Sequence, residues 1–265
     1  VKTGLVEPVQ ALCPGSDIAA LLDKPNNNLA VEYCKAIIEQ NVEMQPIALP
    51  RQGADHGQAL TESSHAAFAS ASALRALWAE GGAAALAPYV PEKALKLYKQ
   101  AEYDGKYTDF AVMGHCELAL LRAACAGQAP FAAVRGVSEG LEHRLENAVR
   151  ETASLPALLD ALTTVRYPRA RMRRLAMDAA LGYTAQTPAL PPYLHLLGAR
   201  KEALPLPGET ALPLSHSLAR LTRENETCAQ MAAAQSRASD LGALCRVKPE
   251  PMGGIYRQKI IFLTN

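Results

Sequence analysis

Aromatic residues are scarce in this 265-residue sequence: they make up 5% of it, with one tryptophan and four phenylalanines. Alanine and leucine supply most of the 49% of residues that are hydrophobic, and both favour helices. The β-branched and aromatic residues that favour strands are few. This composition disfavours a β-sandwich or barrel, and the apolar fraction excludes a chain that is disordered throughout.

Long hydrophobic runs and paired cysteines are also missing. No segment approaches the ~18–20 apolar residues that a membrane span requires, and no basic segment followed by an apolar one opens the chain. No two of the six cysteines are spaced as C-x-x-C, and none lies near a histidine at zinc-finger spacing. We therefore expect free thiols, a cytoplasmic location and no association with a membrane.

Familiar catalytic signatures are absent as well. The six histidines lack the spacing of a metal site, and the sequence contains no P-loop, no G-x-G-x-x-G and no G-x-S-x-G elbow. No metal site is therefore predicted. The chain begins with Val1 rather than Met, and residues 1–15 have the composition of a linker and a short helix. We interpret the sequence as the interior or carboxyl-terminal part of a longer protein.

Helical periodicity organises most of what is present. Leu29–Gln40 follows an asparagine suited to cap a helix, and Met44–Pro50 (MQPIALP) is the best strand candidate of the first hundred residues. The other predicted helices are Asp17–Leu22, Ala67–Glu80, Pro91–Gln100, Thr108–Ala126, Phe131–Arg135, Glu139–Thr152, Leu155–Thr163, Pro168–Leu181 and Glu224–Leu244. The pattern predicts a small α/β part, residues 1–88, followed by a helical domain, residues 89–265, that ends in an extended tail.

One short segment concentrates basic residues although the net charge is only +1. This arginine segment contains Arg166, Arg169, Arg171, Arg173 and Arg174. It has no acidic residue before Asp178, and because like charges repel, it indicates an anionic partner whose phosphates match guanidinium geometry. The alternative is a solvated helix face that Glu139, Glu142 and Glu146 of a neighbouring helix neutralise.

Two further segments contain residues suited to a nucleotide. The first is a turn followed by a glycine-bearing loop, with Asn26, Asn27 and Arg51. The second, which we call the serine–arginine start, is a predicted helix start that contains Ser70, Ser72 and Arg75. Hydroxyls and free N–H groups at a helix start can hold phosphate oxygens. Helix caps and a turn also explain both segments, so these residues alone assign no function.

Seven stretches of the chain, taken together, carry a resemblance. They are Pro25–Ala36 (PNNNLAVEYCKA), Pro46–Gly53 (PIALPRQG), Ala69–Arg75 (ASASALR), Val90–Glu92 (VPE), Glu139–Leu145 (EGLEHRL), Thr164–Leu175 (TVRYPRARMRRL) and Tyr193–Gly198 (YLHLLG). In composition and order they resemble the bacterial tRNA(Met) cytidine acetate ligase family, which is a nucleotidyltransferase-like group. The match is collinear from about Pro25 to Gly198 and weaker beyond it.

The resemblance implies an enzyme that uses ATP to activate acetate as acetyl-adenylate. The enzyme then acetylates N4 of the wobble cytidine of elongator tRNA(Met), so ATP with Mg²⁺, acetate and tRNA are the implied cofactor and partners. In the family, an amino-terminal Rossmann-like domain carries an H-x-G-H signature that holds the ATP phosphates, and this chain contains no H-x-G-H. We therefore expect this segment to contribute tRNA binding and one side of the nucleotide site, and to be inactive alone.

The same resemblance distributes the candidate site residues. Asn26 or Asn27 and Arg51 would contact the nucleotide, the serine–arginine start would lie at its phosphate end, and the arginine segment would belong to the tRNA-binding part. Four positions depart from the family pattern: Pro50 lies before Arg51, Gln52 replaces an apolar residue of the nucleotide-facing turn, and the other two are Ser72 and Pro168. Ser72 replaces a threonine and keeps the hydroxyl, and Pro168 replaces a threonine at a position compatible with a helix start.

The expected fold is therefore mainly α: a remnant of a Rossmann-like α/β nucleotidyltransferase domain, followed by a helical domain. Two other functions stay open from the sequence. One is a helical interaction module with no role in nucleotide or RNA binding. The other is a nucleotidyltransferase-like relative that acts on another substrate.

Overall fold

The computed structural model describes residues 25–49, 69–200 and 210–263, and these residues are mainly helical, as predicted. The chain divides into two units between Ala73 and Leu74. The α-helices are α1 (Pro25–Glu39), α2 (Ala71–Gly81), α3 (Glu92–Asp104), α4 (Phe110–Ala124), α5 (Leu141–Glu151), α6 (Leu155–Leu162), α7 (Arg169–Ala180), α8 (Leu218–Leu221), α9 (Glu226–Leu244) and α10 (Gly254–Arg257). The predicted domain boundary after residue 88 stays a prediction.

Strands are short and occur late in the described chain. β1 (Leu194–His195) pairs in parallel with β3 (Leu214–Ser215), and β2 (Gly198–Arg200) pairs in parallel with β4 (Ile261–Leu263). Each pair forms a two-stranded sheet. The sequence predicts a terminal strand or extended tail over Ile255–Leu263. β4 forms its last three residues, whereas residues 255–257 belong to the short helix α10.

In the first unit, two details of the sequence interpretation are wrong. Helix α1 begins at Pro25, so Asn28, the predicted cap of the run Leu29–Gln40, lies inside the helix, as do Asn26 and Asn27 of the predicted turn. Proline suits this position because its fixed φ is helical and its missing N–H would have no partner there. The predicted helix Asp17–Leu22 lies outside the described residues.

The predicted strand Met44–Pro50 is also wrong over its described residues. Residues 42–49 adopt neither helix nor strand, and the side chains of Ile47 and Leu49 are 81% and 87% exposed. A strand needs a neighbouring strand to pair its backbone N–H and C=O groups. No described segment supplies such a partner here.

The main core of the second unit lies between α4, α5, α6 and α7. Its fully buried side chains include Leu121, Phe131, Leu145, Leu158, Leu162 and Met172. Local capping groups set where these helices begin. The Asp109 carboxylate accepts hydrogen bonds from the N–H groups of Ala111 and Val112 at the start of α4, and the Ser154 hydroxyl accepts one from Ala157 at the start of α6.

The predicted helix Phe131–Arg135 is wrong, although its first residue is a core residue. The segment forms turns, with Phe131 only 1% exposed. The backbone N–H of Arg135 donates to the carbonyl of Tyr183, and Val134 forms an isolated antiparallel bridge with Thr184. Five residues gain few internal hydrogen bonds as a helix, so pairing with the distant segment prevails.

A second, smaller cluster joins α8 and α9. Tyr193, Leu218, Leu221, Cys228 and Ala232 are buried in it. The side-chain oxygen of Asn225 caps α9 by accepting a hydrogen bond of 2.8 Å from the N–H of Cys228. The cysteines among the described residues are free thiols, and no helix in the described ranges is long and apolar enough to cross a membrane.

Candidate functional site

Helix α7 carries most of the arginine segment on its solvent side. The chain enters it through a tight turn, in which the N–H of Tyr167 donates to both the carbonyl and the hydroxyl of Thr164. Pro168 then adopts an extended conformation and the helix starts at Arg169. The predicted inward face is confirmed, because the buried residues of α7 are Met172, Leu175, Ala176 and Ala179. Packing that face against α4 and α6 leaves the arginines exposed.

The arginines lie on two sides of this helix. Arg169 and Arg173 are four residues apart and lie on one side, whereas Arg171 and Arg174 are three apart and lie on another. The ring of Tyr167 organises part of the segment: the Cζ atoms of Arg166 and Arg171 lie 5.6 Å and 5.1 Å from its centroid. Both distances are in the range of cation–π attraction. Sequence reasoning missed this role of Tyr167, although a tyrosine flanked by arginines was visible.

Neutralisation by acidic residues is partial. Of the three glutamates that could neutralise the segment, only Glu139 does so, by pairing with Arg166. Glu142 lies 3.8 Å from His143, and Glu146 lies 2.7 Å from Arg150 on its own helix. Helix α7 is therefore not paired along its length with these glutamates. The alternative of a helical interaction module required such pairing.

Two acidic residues outside the predicted set affect the segment or lie near it. Asp160 of α6 forms a salt bridge with Arg169. Within the described ranges, Arg171, Arg173 and Arg174 form no salt bridge with a carboxylate. The Asp160–Arg169 contact was hard to predict because the two residues are nine positions apart and a turn lies between them.

Glu117 is the second acidic residue, and it is buried. It lies in α4, is 1% exposed, and its Oε1 atom has no hydrogen-bond partner in the described structure. Burial raises the pKa of its carboxyl to about 7, and the nearby Arg173 guanidinium opposes this rise. The signal in the sequence is a single acid on the apolar face that carries Leu118 and Leu121.

The serine–arginine start forms the beginning of α2. Ser70 is 5% exposed, its Oγ accepts a hydrogen bond of 3.2 Å from the N–H of Ala73, and it lies 3.0 Å from the Ser72 Oγ. The structure thus brings the two hydroxyls together, and Arg75 is exposed one turn further along. The first turn of α2 contains no acidic side chain, so nothing in it repels an anion.

The remaining predicted nucleotide contacts are only partly described. Asn26 and Asn27 lie in the first turn of α1, and Arg51 lies outside the described residues. The side chain of Asn26 is likewise outside the description. The positions of these residues do not test whether they contact a nucleotide. Each of these contacts stays a prediction.

Comparison with known proteins places these features in a family. A sequence profile described as HIGH Nucleotidyl Transferase matches residues 8–250. The tRNA(Met) cytidine acetate ligase of Listeria monocytogenes serotype 4b (strain CLIP80459) is 30% identical over 183 residues, which are 68% of this chain and 45% of the relative. The ligase of the same name from Geobacillus sp. (strain WCH70) is 29% identical over 185 residues, 67% of this chain and 45% of the relative.

Two solved structures share the fold. The apo structure of Thermotoga maritima TmcAL superimposes with a TM-score of 0.83 at 20% identity, covering 99% of this chain and 66% of that one. The form bound to alpha-thio ATP gives a TM-score of 0.81 at 18% identity, with the same coverage. This chain spans somewhat less than half the length of the sequence relatives that it matches. Because the profile match covers most of its residues and its fold agrees, the chain belongs to the HIGH nucleotidyltransferase family.

Proposed function

We propose that this chain is the tRNA-binding part, and one side of the nucleotide site, of an ATP-dependent tRNA-modifying ligase. The ligase activates acetate as acetyl-adenylate and acetylates N4 of the wobble cytidine of elongator tRNA(Met). Two sequence relatives carry the name of that activity, and one fold relative was solved with an ATP analogue. A cytoplasmic location accords with this function and stays a prediction.

The observation that carries the proposal is the arginine segment as it stands in three dimensions. Arg171, Arg173 and Arg174 point away from the packed face of α7 and form no salt bridge with a carboxylate of the described chain. The ring of Tyr167 lies within cation–π range of the guanidinium groups of Arg166 and Arg171. Exposed guanidinium groups suit the phosphates of folded RNA, because each contact releases condensed counterions.

For ATP, the start of α2 fits an anionic group. Its first turn has no acid, Ser72 adds a hydroxyl beside Ser70, and Arg75 follows within one turn. Ser70 itself caps the helix, so Ser72 and Arg75 are the groups that would hold phosphate oxygens. When bound, ATP supplies the adenylyl group that activates the carboxylate, and Mg²⁺ would accompany its phosphates.

In this proposal the helical part acts by positioning. It holds the tRNA through backbone phosphates, which fixes the register of the RNA without reading its sequence. The arginine segment thereby determines how far the substrate base lies from the activated acyl group, and it takes no part in bond making. Its loss should weaken tRNA binding and leave the nucleotide site intact.

The experiment compares two double variants of this chain. Arg171→Ala with Arg174→Ala removes two unpaired guanidinium groups from α7. Arg220→Ala with Arg223→Ala is a matched control. It also removes two exposed arginines that are three residues apart, one in α8 and one just after it. We expect the first variant to bind elongator tRNA(Met) roughly 15- to 30-fold more weakly at 0.15 M salt, from two lost phosphate contacts. Equal losses in the two variants would indicate general charge attraction and refute the role of α7.

A further inference from the structure

A groove of about 580 Å³ lies beside the arginine helix. Its walls come from the amino-terminal half of α4, from residues 153–156 at the start of α6, and from α7. The apolar part of the lining includes Phe110, Met113, Leu155, Pro156 and Leu159. The volume lies in the range of small-molecule sites, so the groove is large enough for a ligand of about nucleotide size.

The rim of this groove is cationic. Arg169 and Arg173, one helical turn apart on the same side of α7, both line it, and no carboxylate among the described residues does. Arg169 also pairs with Asp160, which lies outside the lining, so within the described ranges Arg173 is the guanidinium of the two without a salt bridge. His115 lies on the opposite side, with its Nδ1 atom 2.8 Å from the carbonyl of Ala111. The groove therefore combines an apolar floor with positive charge at its edge.

Phe110 distinguishes the groove from an ordinary surface depression. It is the first residue of α4, and it is 69% exposed at the edge of an apolar cavity. Exposed aromatic rings beside guanidinium groups are the usual platform for unstacked RNA bases, with the phosphates held by the cations.

From this geometry we propose that the groove binds one unstacked nucleotide of the RNA, with its base against Phe110 and Leu155 and its phosphate at Arg169 and Arg173. The inference rests on the proposed function, because it needs RNA on this face of the chain. It goes further by assigning a base-binding subsite outside the nucleotide site. A phosphate-only surface would need no apolar floor.

Two variants change the groove without changing its charge: one removes the aromatic ring and the other reduces the open volume. Phe110→Ala removes the exposed ring. Gly114→Leu adds a side chain to the α4 wall of the groove, where a Cβ would lie 3.4 Å from the Leu155 Cβ and 3.7 Å from its Cδ2, so the added atoms take up groove volume. Leu97→Ala is the control, since Leu97 is 72% exposed on α3 and lies outside the lining.

The probes are a fluorescein-labelled oligocytidylate of five residues and an abasic ribose-phosphate oligomer of equal charge, both in 50 mM salt. We expect wild type to prefer the base-bearing oligomer by roughly 5- to 150-fold, the factor that base–aromatic stacking provides. Phe110→Ala and Gly114→Leu should abolish this preference and leave the abasic affinity unchanged. Arg169→Ala with Arg173→Ala should weaken both oligomers, and the Leu97 control neither.

The outcomes separate this inference from the proposed function. No preference in wild type, or a preference that both groove variants retain, overturns the base subsite. If the Arg171/Arg174 variant still loses tRNA affinity in that case, the proposed function stands without the subsite. The groove variants could instead bind both oligomers as tightly as wild type but lose affinity for a pentapeptide of aspartate and phenylalanine. That result would identify a peptide site and overturn the inference.

Discussion

The buried carboxyl of Glu117 makes the stability of the second unit depend on pH. Its pKa in the folded protein is about 7, against 4.5 for a free glutamate, and burial is the main cause. Between these two values the folded state binds the proton more tightly than the unfolded chain does. Raising the pH through this window therefore favours unfolding, because folding must keep an ionised carboxylate out of water.

The magnitude follows from the two pKa values. At pH 5 the shift destabilises the fold by about 1 kcal/mol, and at pH 8 by about 3 kcal/mol, since one pKa unit corresponds to about 1.4 kcal/mol. Glu117→Gln keeps the shape and removes the charge. The free energy of unfolding of Glu117→Gln minus that of wild type should therefore be about 2–3 kcal/mol larger at pH 8 than at pH 5.

Urea unfolding, followed by fluorescence and circular dichroism at both pH values, measures this difference. Trp78 is the single tryptophan and packs against Tyr98 and Tyr107 at ring separations of 5.3 Å and 5.6 Å, so its emission reports on this unit. The control Glu80→Gln removes an exposed carboxylate of α2 and should change the free energy of unfolding by less than about 0.5 kcal/mol. A Glu117→Gln difference that is equal at pH 5 and pH 8 would refute the reasoning.

Other parts of the site make separate predictions. Tyr167→Ala should weaken tRNA binding two- to fivefold through lost guanidinium stacking, whereas Tyr167→Phe should not; equal effects would exclude a role for the ring face. Asp160→Asn should strengthen tRNA binding two- to fivefold, because it releases Arg169 from an exposed ion pair; weaker binding would contradict this. In calorimetric titrations, Arg75→Ala should lower the affinity for ATP roughly tenfold, and Ser72→Ala should lower it less. If both variants bind ATP as wild type does, the phosphate assignment is refuted.

Much of the fold was predictable because it depends on local periodicity. The inward face of α7 follows from the spacing of Met172, Leu175, Ala176 and Ala179, and the structure buries all four. Helices α4, α5, α6 and α9 end within a few residues of their predicted bounds, since capping groups such as Asp109 and Ser154 are themselves local signals. A family resemblance carried by collinear motifs then indicated the family to which the chain belongs.

The errors came from interactions between distant residues. The strand expected over Met44–Pro50 had a suitable composition, but no described segment pairs with its backbone. The Arg169–Asp160 ion pair and the burial of Glu117 depend on how three helices pack, which no local pattern contains. For the same reason, the groove beside α7 could not be read from the arginine spacing.

The central claim is that the arginine helix contacts tRNA phosphates, and the salt dependence of binding tests it most directly. The affinity for elongator tRNA(Met) is measured from 50 to 300 mM salt for wild type, for Arg171→Ala with Arg174→Ala, and for the Arg220/Arg223 control. The account predicts that log affinity falls linearly with log salt, with a slope shallower by roughly 1.5–2 in the α7 variant alone. A slope identical to that of wild type would contradict it.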